Sequence, residues 1–176
     1  MTKLGRHIAT LAAAILIAFS LGTVPVLGVG TDDPPPSPTD KKGAKTNTQN
    51  QQAAERRFRD NYKRAYDLVY TRADYANGIA ALKALGHDEH PDVANLIGFS
   101  SRKLGRYDDA RHWYEKALAA DPNHVRTWSY YGMWHAEQGN RLKAQDFLEK
   151  VRAICGNADC REFIELKGAI EGAHTY

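Results

Sequence analysis

The chain has 176 residues, of which 43% are hydrophobic and 10% aromatic, which is sufficient for one modest domain with accessory segments. Its net charge is +3, and the excess lies before Pro91, because residues 91–176 carry 12 Lys or Arg against 12 Asp or Glu. A nucleic-acid surface needs a concentrated basic face, so this balance argues against nucleic acid as a partner of the second half.

The first 30 residues have the pattern of an export signal. Lys3 and Arg6 precede an uncharged run over 8–30, whose most hydrophobic part is 8–21. A basic start, a short apolar centre and small residues after it are typical of a secretory signal peptide. The run is also about long enough to span a bilayer, which needs roughly 20 residues, so an uncleaved inner-membrane anchor is the alternative. Either way the remainder is expected to be exported, as a periplasmic or secreted domain.

Residues 31–52 are rich in Pro, Thr, Lys, Asn and Gln and contain almost no large apolar residue. A segment of this composition buries too little apolar surface to offset the entropy lost on ordering. We therefore predict a disordered linker over 31–52.

Helical periodicity begins at Ala53. Phe58, Tyr62 and Val69 lie at helical spacing on one apolar face, and basic residues interrupted by acids lie on the other. The segment 75–85 repeats the pattern on a shorter scale. A pair of packed helices is therefore predicted over 53–90, and the interruption of its basic residues by acids argues against a membrane-surface helix.

The stretch 91–124 indicates a complete helical hairpin. Apolar and small residues recur at helical spacing up to Leu104, Gly105 breaks the pattern, and a second periodic segment continues until Pro122. Small residues such as Gly98 suit a point where two helices cross closely.

The frame recurs about 34 residues further on, over 125–154. In this second copy Gly132 and Gly139 stand where Gly98 and Gly105 stood. The two registered copies resemble the tetratricopeptide repeat family, and the pair over 53–90 is then a degenerate repeat. This resemblance implies an all-α solenoid of antiparallel helix pairs that binds a protein or peptide.

The resemblance also implies where a ligand would bind. Members of this family contact ligands through the first helix of each pair, on the concave side. The positions carried over as peptide-binding candidates are Asn95, Phe99, Arg102, Lys103, Arg126, Ser129 and Met133. Some members hold a peptide's C-terminal carboxylate with Lys, Arg and Asn, but Tyr130 stands where Asn is required, which favours a mixed aromatic and charged groove.

The same assignment makes a prediction about stability. If Phe99, Arg102 and Met133 are ligand contacts on the surface, replacing all three removes partner binding and leaves the melting temperature nearly unchanged.

The C-terminal segment 155–172 is predicted to be a helix that covers the last repeat. Asp159 and Glu162 have the spacing of a capping box at its start. Cys155 and Cys160 form a disulfide if the compartment is oxidising, and otherwise remain as two reduced apolar residues at a helix boundary.

The segment 87–90 places His, Asp, Glu and His in one loop, which makes a metal-binding protein or enzyme the alternative function. A metal normally needs a further ligand from elsewhere in the fold, so a solvated loop is favoured and no metal site is predicted. The sequence contains no nucleophile, phosphate-loop or zincin motif, which indicates a non-catalytic protein without a cofactor. A self-associating structural module is the third possibility.

Overall fold

The computed structural model describes residues 38–172, with side chains described from residue 47. All seven elements in this part of the chain are α-helices, which confirms the all-α prediction for the described residues. The helices are α1 (Pro38–Tyr70), α2 (Tyr75–Lys83), α3 (Pro91–Lys103), α4 (Tyr107–Ala120), α5 (Val125–Glu137), α6 (Arg141–Cys155) and α7 (Arg161–Glu171).

Helices α3 and α4 form the hairpin predicted over 91–124. Pro91 lies in the first turn of α3, where its missing N–H removes no helical hydrogen bond, and Gly105 supplies the left-handed turn with φ +72°. The helices approach closely at Gly98, where an added Cβ would lie 2.8 Å from the Tyr114 ring. Tyr114 is fully buried, so the ring occupies the space that the missing side chain leaves.

Helices α5 and α6 form the second hairpin, and Gly139 makes the corresponding turn with φ +78°. Its crossing glycine, Gly132, accommodates a different neighbour, because an added Cβ would lie 2.7 Å from the Leu166 side chain of α7. Leu166 and Ile170 are buried against the second hairpin. The predicted covering helix is therefore present as α7.

Two details of α7 differ from the prediction. The helix begins at Arg161 with Cys160 as its N-cap, and no side chain caps it, so the predicted capping box of Asp159 and Glu162 is wrong. The backbone N–H of Asp159 instead donates to the Asn157 side chain at 2.9 Å, a local turn that keeps Asp159 outside the helix. Ile164, an apolar residue of the predicted covering helix, is exposed and does not pack on the last repeat.

Helix α1 begins earlier than the sequence pattern indicated. Residues 38–52, predicted as linker, are helical, while residues 31–37 of that linker and the predicted signal over 1–30 lie outside the described residues. Proline is favourable at the first helical position, but the Gly, Thr and Asn residues of this segment are poor helix formers, so local propensity does not account for the extension. The side chains of residues 47–52 are exposed, which explains why apolar periodicity did not reveal them.

The described residues bury one continuous apolar core between the hairpins, and it extends from Ala65 and Val69 in α1 to Leu166 and Ile170 in α7. Within the part of the chain that the structure describes, no helix combines the length and apolar character needed to cross a membrane.

Candidate functional site

The first helices of the three hairpins are neighbours, since α3 packs against both α1 and α5, and α7 packs against α5. We call the surface that these four helices share the inner face. The second helices α4 and α6 lie behind it, each packed against the first helix of its own hairpin. Side chains from all four helices meet around one cavity on the inner face.

A row of aromatic rings crosses the inner face from α1 to α5, with neighbouring ring centres 4.4–6.5 Å apart. Phe99 lies between two tyrosines, with ring centres 5.1 Å from Tyr70 and 5.0 Å from Tyr130. The Tyr70 and Tyr130 hydroxyls hydrogen bond at 2.9 Å and join α1 to α5 across α3. Burial raises the pKa of Tyr70 and Tyr130, so both remain neutral phenols at physiological pH. The row consists of Phe58, Tyr62, Tyr66, Tyr70, Phe99 and Tyr130.

A cavity of about 220 Å³ lies beside the Tyr70–Tyr130 bridge. Its walls combine an aromatic and thioether surface with three cationic side chains and one carboxylate. The lining residues are Tyr70, Phe99, Arg102, Lys103, Tyr130, Met133, Arg161 and Glu165.

Arg102 is a buried cation in the cavity wall. Its Nη1 donates to the backbone carbonyl of Tyr130 at 3.2 Å, and its guanidinium lies 5.7 Å from the Phe99 ring centre. The Nε–H has no hydrogen-bond partner among the described residues, and the nearest carboxylate oxygen, from Glu137, is 3.8 Å away. A buried guanidinium with an unused donor is unusual, because such groups normally satisfy their hydrogen-bonding capacity.

Lys103 follows Arg102 and is half-buried at the cavity. Its Nζ lies 5.9 Å from the Phe99 ring centre, and no described residue forms an ion pair or hydrogen bond with it. Burial and then the charge of Arg102 lower the pKa of Lys103, and Glu137 opposes the shift. The Lys103 ammonium is therefore partly desolvated and lies close to a second cation, Arg102.

A polar cluster lies at the N-terminal ends of α3 and α5, away from the cavity. The His124 imidazole contacts Asp92 Oδ1 at 3.1 Å and the Thr127 hydroxyl at 2.6 Å, and that hydroxyl donates to Asn95 Oδ1 at 3.2 Å. Arg126 Nη1 lies 4.0 Å from the same Asp92 oxygen. The hydrogen bond from His124 is the main reason why the pKa of Asp92 lies below its ordinary value, while burial opposes the shift.

The structure brings four of the seven predicted peptide-binding residues together, because Phe99, Arg102, Lys103 and Met133 all line the cavity. The other three are elsewhere. Asn95 and Arg126 belong to the polar cluster, and Ser129 donates its hydroxyl to the Glu162 carbonyl of α7 at 2.9 Å. Contact of the seven with a peptide stays a prediction.

The expected exposure of these residues was wrong. Phe99, Arg102 and Met133 are 7%, 4% and 2% exposed, so they are core residues as well as cavity walls. Their simultaneous replacement would remove buried volume and a buried charge, so the melting temperature should fall and the prediction that it stays unchanged is wrong. The repeat pattern assigns them to a ligand-binding face. At these positions Tyr70 of α1 and Arg161 and Glu165 of α7 lie beside them around the same cavity.

Sequence reasoning missed Tyr70 and the pair Arg161 and Glu165 of α7, which line the same cavity. Arg161 and Glu165 form an ion pair within α7. Their spacing of four residues on one helix predicts the ion pair. Nothing in the sequence predicts that α7 lies beside Tyr130.

The loop over 87–90 forms contacts other than metal ligation. The His87 and His90 rings pack against Phe58, with ring centres 4.7 and 5.1 Å away, and His90 Nδ1 accepts a hydrogen bond from the Asp92 backbone at 3.2 Å. Among residues 38–172, no three His, Cys, Asp or Glu side chains converge as metal ligands. The metal-dependent alternative therefore gains no support from this part of the chain.

Cys155 and Cys160 form a disulfide that connects the end of α6 to the N-cap of α7. Gly156 follows Cys155 with φ +74°, a left-handed conformation that ends α6. The bridge therefore restrains the start of α7, the segment that brings Arg161 to the cavity.

The fold and the inner face define a short array of antiparallel helical hairpins with a covering helix, the architecture of helical repeat proteins. Residues 89–157 match the tetratricopeptide repeat family model, so the chain carries tetratricopeptide repeats over these residues and the resemblance is confirmed.

A curated relative has the name uncharacterized protein ycf37, from Guillardia theta. It is 33% identical over 92 residues, which are 51% of this chain. The chain spans about half, 49%, of the length of that relative.

Proposed function

We propose that this protein is a non-catalytic scaffold that binds a segment of another protein on its inner face. Tetratricopeptide repeats generally mediate protein interactions, and the match over 89–157 covers both full hairpins. The observation that carries the proposal is the cavity, where side chains from α1, α3, α5 and α7 converge beside a row of aromatic rings. Aromatic residues and arginine are enriched at the centres of protein interfaces, which this composition matches.

The tyrosines on the inner face support binding rather than catalysis. Burial raises the pKa of Tyr62 and Tyr70, the direction opposite to that of a general base working near neutral pH. Neutral phenols instead offer flat surfaces and hydrogen-bonding hydroxyls to a partner.

The proposal includes export, with the repeats outside the cytoplasm. The basic and then apolar pattern of residues 1–30 supports it, as does a disulfide, which persists mainly in oxidising compartments. Cell fractionation together with thiol alkylation before and after reduction tests this part. A cytoplasmic chain whose two cysteines alkylate without reduction would contradict export.

Binding on the inner face is tested by affinity capture with the full chain from the cells that produce it. The test variant reverses three inner-face charges, Lys103→Glu, Arg126→Glu and Arg161→Glu. The control reverses three exposed charges away from the cavity, Arg106→Glu, Lys143→Glu and Lys150→Glu. We expect a partner that the native chain and the control recover and the test variant loses. Equal recovery by both variants would show that the inner face is not the binding surface.

A further inference from the structure

We propose that the inner-face cavity takes the side-chain carboxylate of a glutamate or aspartate in the partner. This inference rests on the proposed function and specifies the chemistry of its partner: an acidic, extended segment. The structure shows a cavity with two cationic groups, Arg102 and Lys103, whose charges the protein itself does not fully neutralise.

Arg102 supplies the buried cation of the proposed site. It is 4% exposed, its Nη1 is occupied by the Tyr130 carbonyl, and its Nε–H is unpaired among the described residues. A buried charge is expensive unless it is paired and hydrogen bonded. An anion in the cavity would supply the compensation that Glu137 provides only from 3.8 Å.

Lys103 supplies the second cation of the site and is half-buried. Among the described residues its interactions are limited to the Phe99 ring and to longer-range charges. The other charges around the cavity are already engaged, because Glu165 pairs with Arg161 inside α7 and Glu137 lies beside Arg102. An incoming carboxylate would therefore meet the Lys103 ammonium as a free charged donor.

The cavity walls favour a side chain over a peptide's C-terminal carboxylate. Phe99, Met133 and the tyrosine rings offer apolar surface for the methylene groups of an acidic side chain, and about 220 Å³ accommodates them with the carboxylate. Proteins that bind the C-terminal carboxylate of a peptide commonly also use Asn or Gln side chains to hold the peptide backbone. Among the described residues, no Asn or Gln lines this cavity, and Asn95 is buried in the polar cluster with Thr127.

The test uses the full chain labelled with ¹⁵N and three short peptides. The first is acetyl-Ala-Ala-Glu-Ala-Ala-amide, the second carries Gln in place of Glu, and the third is the Gln peptide with a free C-terminus. We expect only the Glu peptide to shift the amide signals of Arg102, Lys103 and Arg161 saturably. Loss of one charge-assisted hydrogen bond weakens binding about tenfold, so Lys103→Gln should weaken the Glu peptide by that factor.

Lys143→Gln is the matched control, because Lys143 also lies over a ring, 5.5 Å from the Phe147 centre, and has no ion pair among the described residues. It should bind the Glu peptide like the native chain. Lys103 is only half-buried, so both variants are expected to fold, and their melting temperatures check this.

Three results would overturn the inference: equal shifts with Glu and Gln peptides, shifts with the free C-terminus alone, or no effect of Lys103→Gln. Its failure is distinguishable from failure of the proposed function. A partner captured through the inner face with no Glu-peptide binding refutes only the carboxylate, whereas Glu-peptide binding without a captured partner refutes only the scaffold role.

Discussion

The degenerate hairpin α1/α2 and the full hairpin α3/α4 reach the same close packing by different residues. In α3/α4 the contact is at Gly98 of the first helix, against Tyr114 of the second. In α1/α2 the glycine is on the second helix, where an added Cβ at Gly78 would lie 2.5 Å from a Val69 methyl group. Tyr66 occupies the position equivalent to Gly98 and lies 38% exposed. Close approach is thus required in both hairpins, but the residue that provides it is not fixed.

The turn of the degenerate hairpin also differs from the turns of the full hairpins in the residue that adopts the left-handed conformation. Gly105 and Gly139 adopt φ +72° and +78° in the full repeats, whereas Ala73 adopts φ +51° at the matching turn of α1/α2. A residue with a Cβ is strained in this region, so the degenerate hairpin retains the turn geometry without the residue that best suits it.

The largest expected effect tests the crossing point. Gly98→Val should destabilise the protein by about 2–3 kcal/mol, because the new side chain would overlap the buried Tyr114 ring. Tyr66→Val, at the equivalent position of α1, should change stability by less than about 1 kcal/mol. Urea unfolding followed by circular dichroism measures both. Equal losses would mean that the two positions are equally buried, contrary to the structure.

A smaller effect is expected at the crossing point of α1/α2. Gly78→Ala should destabilise by about 1–2 kcal/mol, since the overlap with Val69 outweighs the better helix propensity of alanine. Combining Gly78→Ala with Val69→Ala should remove the overlap, so the double variant should lose less stability than the sum of the single losses. Additive losses in this double-mutant cycle would contradict a direct contact.

The turn residues should respond in opposite directions. Gly105→Ala should destabilise by about 1 kcal/mol, because it places a Cβ at φ +72°. Ala73→Gly should stabilise by about 0.5 kcal/mol, since relief of strain exceeds the added freedom of the unfolded chain. Melting temperatures of the two variants provide the comparison, and stabilisation by Gly105→Ala would refute the turn assignment.

The smallest effect concerns the interfaces between hairpins. The interface between α3/α4 and α5/α6 includes the Asp92–His124 contact. The interface between α1/α2 and α3/α4 consists mainly of aromatic contacts. The lowered pKa of Asp92 means that its carboxylate contributes stability above about pH 4, lost as pH falls through the folded-state pKa.

Asp92→Asn should therefore cost about 0.5 kcal/mol or less at pH 7, because the pair is partly screened by solvent. Below about pH 3 it should cost progressively less. Melting temperatures measured across this range check the prediction. A loss that grows as the pH falls would reverse the sign assigned to Asp92.

The full hairpins were predictable because their signals are local. The turn glycines and the crossing glycines Gly98 and Gly132 repeat at fixed spacing, and each reports a backbone or packing requirement of its own hairpin. Helix α1 was predictable only where it packs. Its beginning, from Pro38, carries no apolar pattern in the sequence, and the described side chains over 47–52 are exposed.

The candidate site was predictable in part. Phe99, Arg102, Lys103 and Met133 follow from repeat position, and they do meet at one cavity. Their burial does not follow, because it depends on Tyr70 at the end of α1 and on α7, which lie outside the two registered repeats. Tyr70 and Tyr130 are 60 positions apart, and no periodicity predicts that their hydroxyls bond.

The most direct test of partner binding on the inner face is site-specific photocrosslinking in the cells that produce the protein. A photoreactive phenylalanine replaces Tyr66 on the inner face or, as the control, the exposed Leu142 at the start of α6. The account predicts a discrete adduct with another protein from position 66 and none from position 142. The same adducts from both positions, or adducts from position 142 alone, would contradict it, and a product of twice the chain mass would indicate self-association instead.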